Sequence, residues 1–476
     1  MLNEPHKPAS PPTVGKPAGT FSHPGILTKN QCILGQIPAG LAVFSLVLLF
    51  ASFSCKDSPS ASDNVKVTLT FEDASCIETW LQLKIENAAP PYSVALSRDG
   101  NTLSTVHILS SDTLLIDEGL APSTTYTYRA SLTLDNNIVV RSPDAQARTL
   151  DTTSHNWVFD PPVMLGDGSS SVLYDVVIIN DTLAYAVGEI YKMDSLGNWD
   201  PNAYNLVKWD GSSWELMRIQ FYTICGQPSR TPYPAKAIFA FSENDVWITS
   251  QGGQVARWDG TTQTATMCMP DPFVVNKLWG ENPSSVYAVG NGGGIARYDG
   301  TSWRRVESGT TLPIQDIWGA QDRRQQTTIL CIASNVFQNQ GSQTLSIQGN
   351  SVIPISNAGL SWQLWGVWYV PNIRYFAVGA GIHYKRSLDD SLWTRYPPGV
   401  VTQFASGGIR GNGINDVFVA GSFGEVVHFN GLTWHRYFSS VPLPSGAYGR
   451  VDVRGDLVIA VGLESGSGAL ALRGTR

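Results

Sequence analysis

From Val65 onward, apolar and polar residues alternate with a period of two, in short runs broken by Gly, Pro, Asn and Asp. Val65, Val67, Leu69 and Phe71 alternate, as do the residues of Thr79-Trp-Leu-Gln-Leu-Lys-Ile85. Tyr92-Ser-Val-Ala-Leu96 follows, before the turn Arg98-Asp-Gly-Asn101. Runs of this kind predict half-buried antiparallel strands joined by tight turns. The first 55 residues break the pattern. Residues 1–31 are rich in Pro, Gly and Ser, and Ile33 to Phe53 contains no charged residue.

That uncharged stretch holds the dense apolar run Leu41-Ala-Val-Phe-Ser-Leu-Val-Leu-Leu-Phe50, preceded by Lys7, Lys16 and Lys29 and followed by Ala-Ser-Phe-Ser-Cys55-Lys-Asp. A basic flank, an apolar centre of about ten residues and small residues beyond it make a secretory signal. With Cys at its end, the segment resembles bacterial lipoprotein signals, and the Ser-Cys-Lys-Asp ending resembles Bacteroidetes-type envelope lipoproteins. The resemblance implies that Cys55 carries the lipid and begins the mature chain. A single transmembrane anchor and a cleaved, freely secreted form are the alternatives. All three export the rest of the chain. Residues 56–64 have linker composition.

Within the first alternating region, residues 65–150, the segment Leu120-Ala-Pro-Ser-Thr124-Thr-Tyr126-Thr-Tyr128 resembles the L-x-P-x-T-x-Y stretch of fibronectin type III domains. The resemblance implies a two-sheet sandwich, with Trp80 as a core residue of the second strand. Tyr126 would sit at the corner, its hydroxyl bonded to nearby backbone. Such a module acts as a spacer or makes direct ligand contact. Cys76 reads as a buried thiol.

Residues 155–476 repeat. Strands ending in Ala-Val-Gly recur at Tyr185–Gly188, Tyr287–Gly290, Phe376–Gly379 and Ile459–Gly462, with variants Trp247–Ser250, Cys331–Ser334 and Phe418–Gly421. After the first interval the spacing is 40 to 45 residues. Each unit continues through a Gly-rich turn to Lys208-Trp-Asp-Gly211, Arg257-Trp-Asp-Gly260, Arg297-Tyr-Asp-Gly300 or His428-Phe-Asn-Gly431, and several then open a strand with Ser-Trp or Thr-Trp. Asp-Gly and Asn-Gly supply the positive φ of tight hairpins. Four strands per repeat of this length predict the blade of a β-propeller, here seven-bladed. The last unit stops after its third strand, and His155-Asn-Trp-Val-Phe159 has the look of a displaced fourth strand that closes the ring. The motifs resemble the uncharacterised propeller repeats of secreted bacterial proteins.

Composition follows from this design. Charged residues are 15%, there are 45 Gly, and fourteen of the 15 Trp lie after residue 156. A net charge of −7 argues against a nucleic-acid binder. The recurrent Asp210, Asp259 and Asp299 read as turn residues. None of the six Cys shows metal-ligand spacing, and no cofactor motif is present. Blade one breaks the repeat twice, with an insertion from Glu189 to Asn205 and a connector from Phe221 to Lys236. Tyr191, Trp199, Tyr222, Arg230 and Tyr233 lie on these loops and are the candidate binding residues, against plain surface elaboration. Cys225 and Cys268, 43 residues apart, are either a disulfide or two separate thiols.

The reading is an exported, lipid-anchored, all-β monomer: a fibronectin type III-like sandwich followed by a seven-bladed β-propeller closed by an N-terminal strand. It binds a protein or glycan at the outer membrane or cell surface without catalysis. The alternatives are a carbohydrate-active enzyme, hydrolase or lyase, on the same scaffold, and a structural envelope component.

Overall fold

The computed structural model describes residues 64–476 apart from 135–136, 169, 438–442, 444 and 467. The signal, the lipid-site candidate Cys55 and all but the last residue of the linker therefore lie outside the described residues.

The first alternating region forms two antiparallel sheets. One has the strand order Lys66–Ala74, Glu78–Glu86, Asp112–Glu118. The other has Asn101–Ile108, Tyr92–Arg98, Thr125–Thr133, Val139–Arg141, with Ala145–Arg148 also on Thr125–Thr133. The inward positions Leu69, Leu81, Leu83, Val94, Leu96, Ala130 and Leu132 build one apolar core between them. Tyr126 is half-buried against this core, and its hydroxyl accepts the Ala121 N–H (2.9 Å).

Trp80 departs from expectation. It is buried, but not in this core. In the strand Glu78–Glu86, Leu81, Leu83 and Ile85 point inward, so Trp80 points outward by the pleat. There it packs with Trp368, Ile373, Phe376, Val378 and Val417 of the repeat region. Glu78, on the same outer face, receives Arg374 (2.8 and 3.0 Å) and Arg386 (2.8 Å). Asp73 pairs with Arg323 (2.6 Å). Cys76 is fully buried beside the Asn430-Gly431 turn, where a Cβ on Gly431 would fall 2.3 Å from its Sγ. The first domain is thus seated on the repeat region through a packed face, not merely tethered to it.

Beyond residue 160, seven antiparallel sheets of four or more strands follow one another among the described residues. Six are simple meanders, the first running Val172–Asn180, Leu183–Ile190, Tyr204–Trp209, Trp214–Met217. The Asp-Gly hairpin explains the third and fourth strands. Asp210 Oδ1 accepts the N–H groups of Ser212 and Ser213 (2.8 Å each), and Gly211 takes φ 93°. Asp259, Asp299 and Asn430 accept the corresponding N–H groups in the same way. These are turn bonds to an uncharged Asn as well as to Asp, so no carboxylate function is needed to account for them. The turn sets the flanking aromatics opposite each other: Trp209 on Trp214, Tyr298 on Trp303, Phe429 on Trp434, with ring centroids 5.0 to 5.5 Å apart.

The last sheet comprises Gly446–Arg454, Leu457–Glu464 and Gly468–Thr475, completed from the other end of the repeat region. Its added strand is not the continuous 155–159 segment expected. Val158–Phe159 pairs with 474–475 and Val163–Leu165 pairs with 469–471, separated by Pro161 and Pro162. Proline donates no hydrogen bond to a ladder, which splits the strand in two.

The first strand of each sheet lies against the first strand of the next, and Gly446–Arg454 lies against Val172–Asn180. These strands have no ladder partner on that side, so their buried N–H groups need other acceptors. Three aspartates supply them across sheets: Asp175 accepts Ile238 N–H (3.0 Å), Asp316 accepts Val367 N–H (3.0 Å) and Asp452 accepts Ile178 N–H (2.7 Å). Asp316 is held by both terminal nitrogens of Arg410 (2.9 Å each), and Asp175 by Lys277. Burial pushes the Asp316 carboxyl up, but Arg410, helped by Arg450 and Lys277, outweighs it and holds the group below the usual carboxylate range.

Candidate functional site

The buried charges divide the middle of the repeat region into two cavities, at opposite ends of the first strands. The smaller, about 310 Å3, is lined by later residues of those strands, such as Val177, Phe239, Trp279 and Arg454. The larger, about 620 Å3, is lined by their starts, among them Tyr174, Lys236, Asn276, Gln315, Trp365 and Arg450, and by the loops between second and third strands at Gln251, Asn291 and Asn335 to Phe337. Among the described residues, the lining of the larger cavity contains no Asp or Glu.

The two irregular loops of the first unit join strands at this same end. Tyr191 is not part of the cavity lining. Its hydroxyl donates to Glu189, and this bond, with burial, pushes its own ionisation up to about 12. Glu189 in turn acts electrostatically on Tyr174 and Lys236 of the cavity. Trp199 lies farther out, 51% exposed, over Gly168. The insertion and the connector meet at one place, where the side-chain amide of Asn205 donates to the carbonyls of Ile219 and Tyr233 (2.8 Å each). Tyr233 is 37% exposed.

Tyr222 and Arg230 form a separate group. They face each other across a two-strand hairpin, the guanidinium 4.2 Å from the ring centroid, and Arg230 donates to Thr266 (2.8 Å). That hairpin leans over the fourth strand of the next sheet and brings Cys225 to Cys268, with Sγ atoms 2.00 Å apart and Cα atoms 6.2 Å apart. The two cysteines are bonded. The lean of the hairpin, not the repeat spacing, closes the distance. The five candidate residues therefore share an end of the molecule but do not form one cluster.

Sequence reasoning missed the residues around the central cavity. Six of them occupy one slot, two places before the inward aliphatic of a first strand: Tyr174, Lys236, Asn276, Gln315, Trp365 and Gly449. The inward slot two places on is aliphatic in every unit, whereas this one holds a different residue in each of the six. Variation inside a repeat at a single position was the available signal.

His428 stands where Arg257 stands in an earlier unit, and it bonds Asp416 (2.8 Å) as Arg257 bonds Asp245 (2.6 Å). Its other ring nitrogen lies 2.9 Å from His155. Burial pushes both imidazoles down, His155 to about 4, so the pair is neutral at pH 7. These histidines are structural fittings where the first domain joins the repeats. Among the described residues, no three His, Cys, Asp or Glu side chains converge on a metal-sized space.

The chain is an all-β protein of propeller-like construction. It is similar to the structure described as YCF48 bound to D1 peptide, with a TM-score of 0.50 and 16% identity, covering 68% of this chain and 97% of that one. It is also similar to the WD40 β-propeller domain of Doa1, with a TM-score of 0.46 and 14% identity, covering 68% and 98%. No protein-family model matches the sequence. No curated protein matches it.

Proposed function

We propose that residues 155–476 are a seven-bladed propeller closed by its N-terminal strand, that residues 65–150 are a fibronectin type III-like domain, and that the protein is a non-catalytic binding module for a protein or glycan. One observation carries the functional reading: exposed aromatics gather at the same end as a central cavity whose lining holds no carboxylate. Glycoside hydrolysis uses two carboxyl groups flanking one bond, and this cavity offers neither. Aromatic and amide side chains on loops over a rigid scaffold are the chemistry of recognition. The peptide-bound state of the YCF48 structure is compatible with such a role.

Export and lipid anchoring through Cys55 complete the proposal, placing a monomer at the outer membrane or cell surface. The Cys225–Cys268 disulfide supports an oxidising compartment. Cells fed a clickable palmitate analogue should label the wild-type protein and leave Cys55→Ala unlabelled. Label retained by Cys55→Ala contradicts the anchor.

A further inference from the structure

We infer that the central cavity binds a carboxylate-bearing sugar, a uronic acid residue of a glycan, with Lys236 and Arg450 on the carboxylate and Trp365 and Phe337 against the ring. This rests on the binding-module reading and names the ligand class for it.

Charge is the first observation. In a chain of net charge −7, this cavity is lined by two cations and no anion. Lys236 lies over the Tyr174 ring, 3.3 Å from its centroid, and among the described residues it makes no ion pair with a carboxylate. Arg450 is only 8% exposed, yet its terminal nitrogens donate to backbone carbonyls alone, those of Gly407 (3.0 Å), Gly449 (2.9 Å) and Gln315 (2.9 Å). Its Nε is buried and has no partner among the described residues. Asp316 acts on this guanidinium electrostatically, but no carboxylate bonds it directly, and an anion in the cavity would supply the missing charged acceptor. Glu189, which acts on Lys236 from outside the lining, is bonded by the Tyr191 hydroxyl.

The walls are the second observation. Phe337 is 87% exposed and meets Trp365 edge to face, centroids 6.5 Å apart. An exposed aromatic beside a cavity of this size, within the ordinary range of about 300 to 1,000 Å3 for ligand sites, is a contact surface awaiting an apolar face. The C–H face of a pyranose supplies one. Gln251 and Asn291 also line the cavity from the loops, and a carboxamide offers donor and acceptor together, which suits vicinal hydroxyls; Asn335 is already bonded to Phe337, Gln338 and Gln340 of its own loop. A peptide ending in a free carboxylate satisfies the cations and can bond these amides through its backbone, but its backbone brings no C–H ring face to Trp365 and Phe337 beside the carboxylate, so the sugar is favoured.

Protonation of Lys236 sets the pH dependence. Burial first, and Arg450 second, bring its ionisation down to about 8, opposed by Glu189. Tyr174 under the ammonium stays neutral, its own ionisation raised by burial. Binding is therefore strong below pH 8 and falls as the pH rises through it.

The test is calorimetric titration of the full chain, solubilised in a mild detergent, with three probes. They are an oligosaccharide ending in glucuronate, the same oligosaccharide ending in glucose, and a short peptide with a free C-terminal carboxylate. The glucuronate probe should bind about tenfold or more tightly than the glucose probe, as a hydrogen-bonded charge implies. Lys236→Gln should cut that preference severalfold, leaving what Arg450 supplies, while Lys236→Arg keeps most of it. Phe337→Ala, at an exposed site that leaves folding intact, should weaken both sugars. Equal affinity for the two sugars, binding of the peptide alone, or indifference to Lys236→Gln overturns the inference. If no probe binds, the inference falls by itself, while the broader binding-module reading stands or falls on whether the chain retains any component of a glycan and protein pool.

Discussion

Arg410→Ala should lower the unfolding free energy by about 3 to 5 kcal/mol, the usual effect of stranding one member of a buried ion pair. Asp316 would keep the Val367 N–H but lose both guanidinium bonds, with its carboxylate fully enclosed. Urea unfolding at pH 7 measures the loss directly. The acid limb gives a second readout. A carboxyl held below its ordinary value stabilises the fold above its unfolded-state pKa near 4, and that contribution disappears as the pH falls through the depressed value. Without Arg410, burial becomes the dominant influence and the carboxyl protonates at higher pH, so the acid transition of Arg410→Ala should begin at higher pH than that of the wild type. Asp316→Asn combined with Arg410→Met should recover part of the loss, because no charge is left unpaired.

Deletion of residues 155–165 should be comparably damaging for a different reason. Those residues pair with both ends of the strand Gly468–Thr475, bury Trp157 among Phe418, Tyr448 and Leu470, and place Asp160 on Arg473 (2.5 Å). Losing one buried Trp alone costs about 3 to 5 kcal/mol. The deletion also bares a long apolar strand edge, which invites pairing between molecules. We expect the melting temperature to fall by about 10 °C or more, at roughly 2 to 4 °C per kcal/mol for a unit of this size, together with concentration-dependent aggregation on gel filtration. An unchanged melt would refute the role of this strand.

The contrast between what was readable and what was not has a physical basis. Asp-Gly hairpins and Ala-Val-Gly strands are local: the residues that define them touch one another within a few positions, so spacing alone located the second strands, with ends at 250, 290, 334, 379 and 421 as read and at 190 and 464 two residues beyond the Ala-Val-Gly motif. Trp80 was misplaced because both faces of its strand are buried, one by its own domain and one by the repeat region, and alternation cannot say which face is which. The added strand of the last sheet was placed by its Ser-Trp-like look at 155–159, while much of the pairing falls after two prolines at 163–165. The central cavity draws single residues from segments as far apart as Tyr174 and Arg450. No window of sequence contains such a site. It emerges only when the first strands are brought side by side.

The central claim, that this protein holds a ligand without transforming it, is tested most directly by incubating the full chain in mild detergent with a pool of envelope glycans and proteins. Mass spectrometry then compares what is bound with what was supplied. The account predicts that a defined component is retained at unchanged mass and that no new reducing ends or fragments appear over many hours. Retention of nothing, or release of cleaved products that grow in proportion to protein concentration, would contradict it.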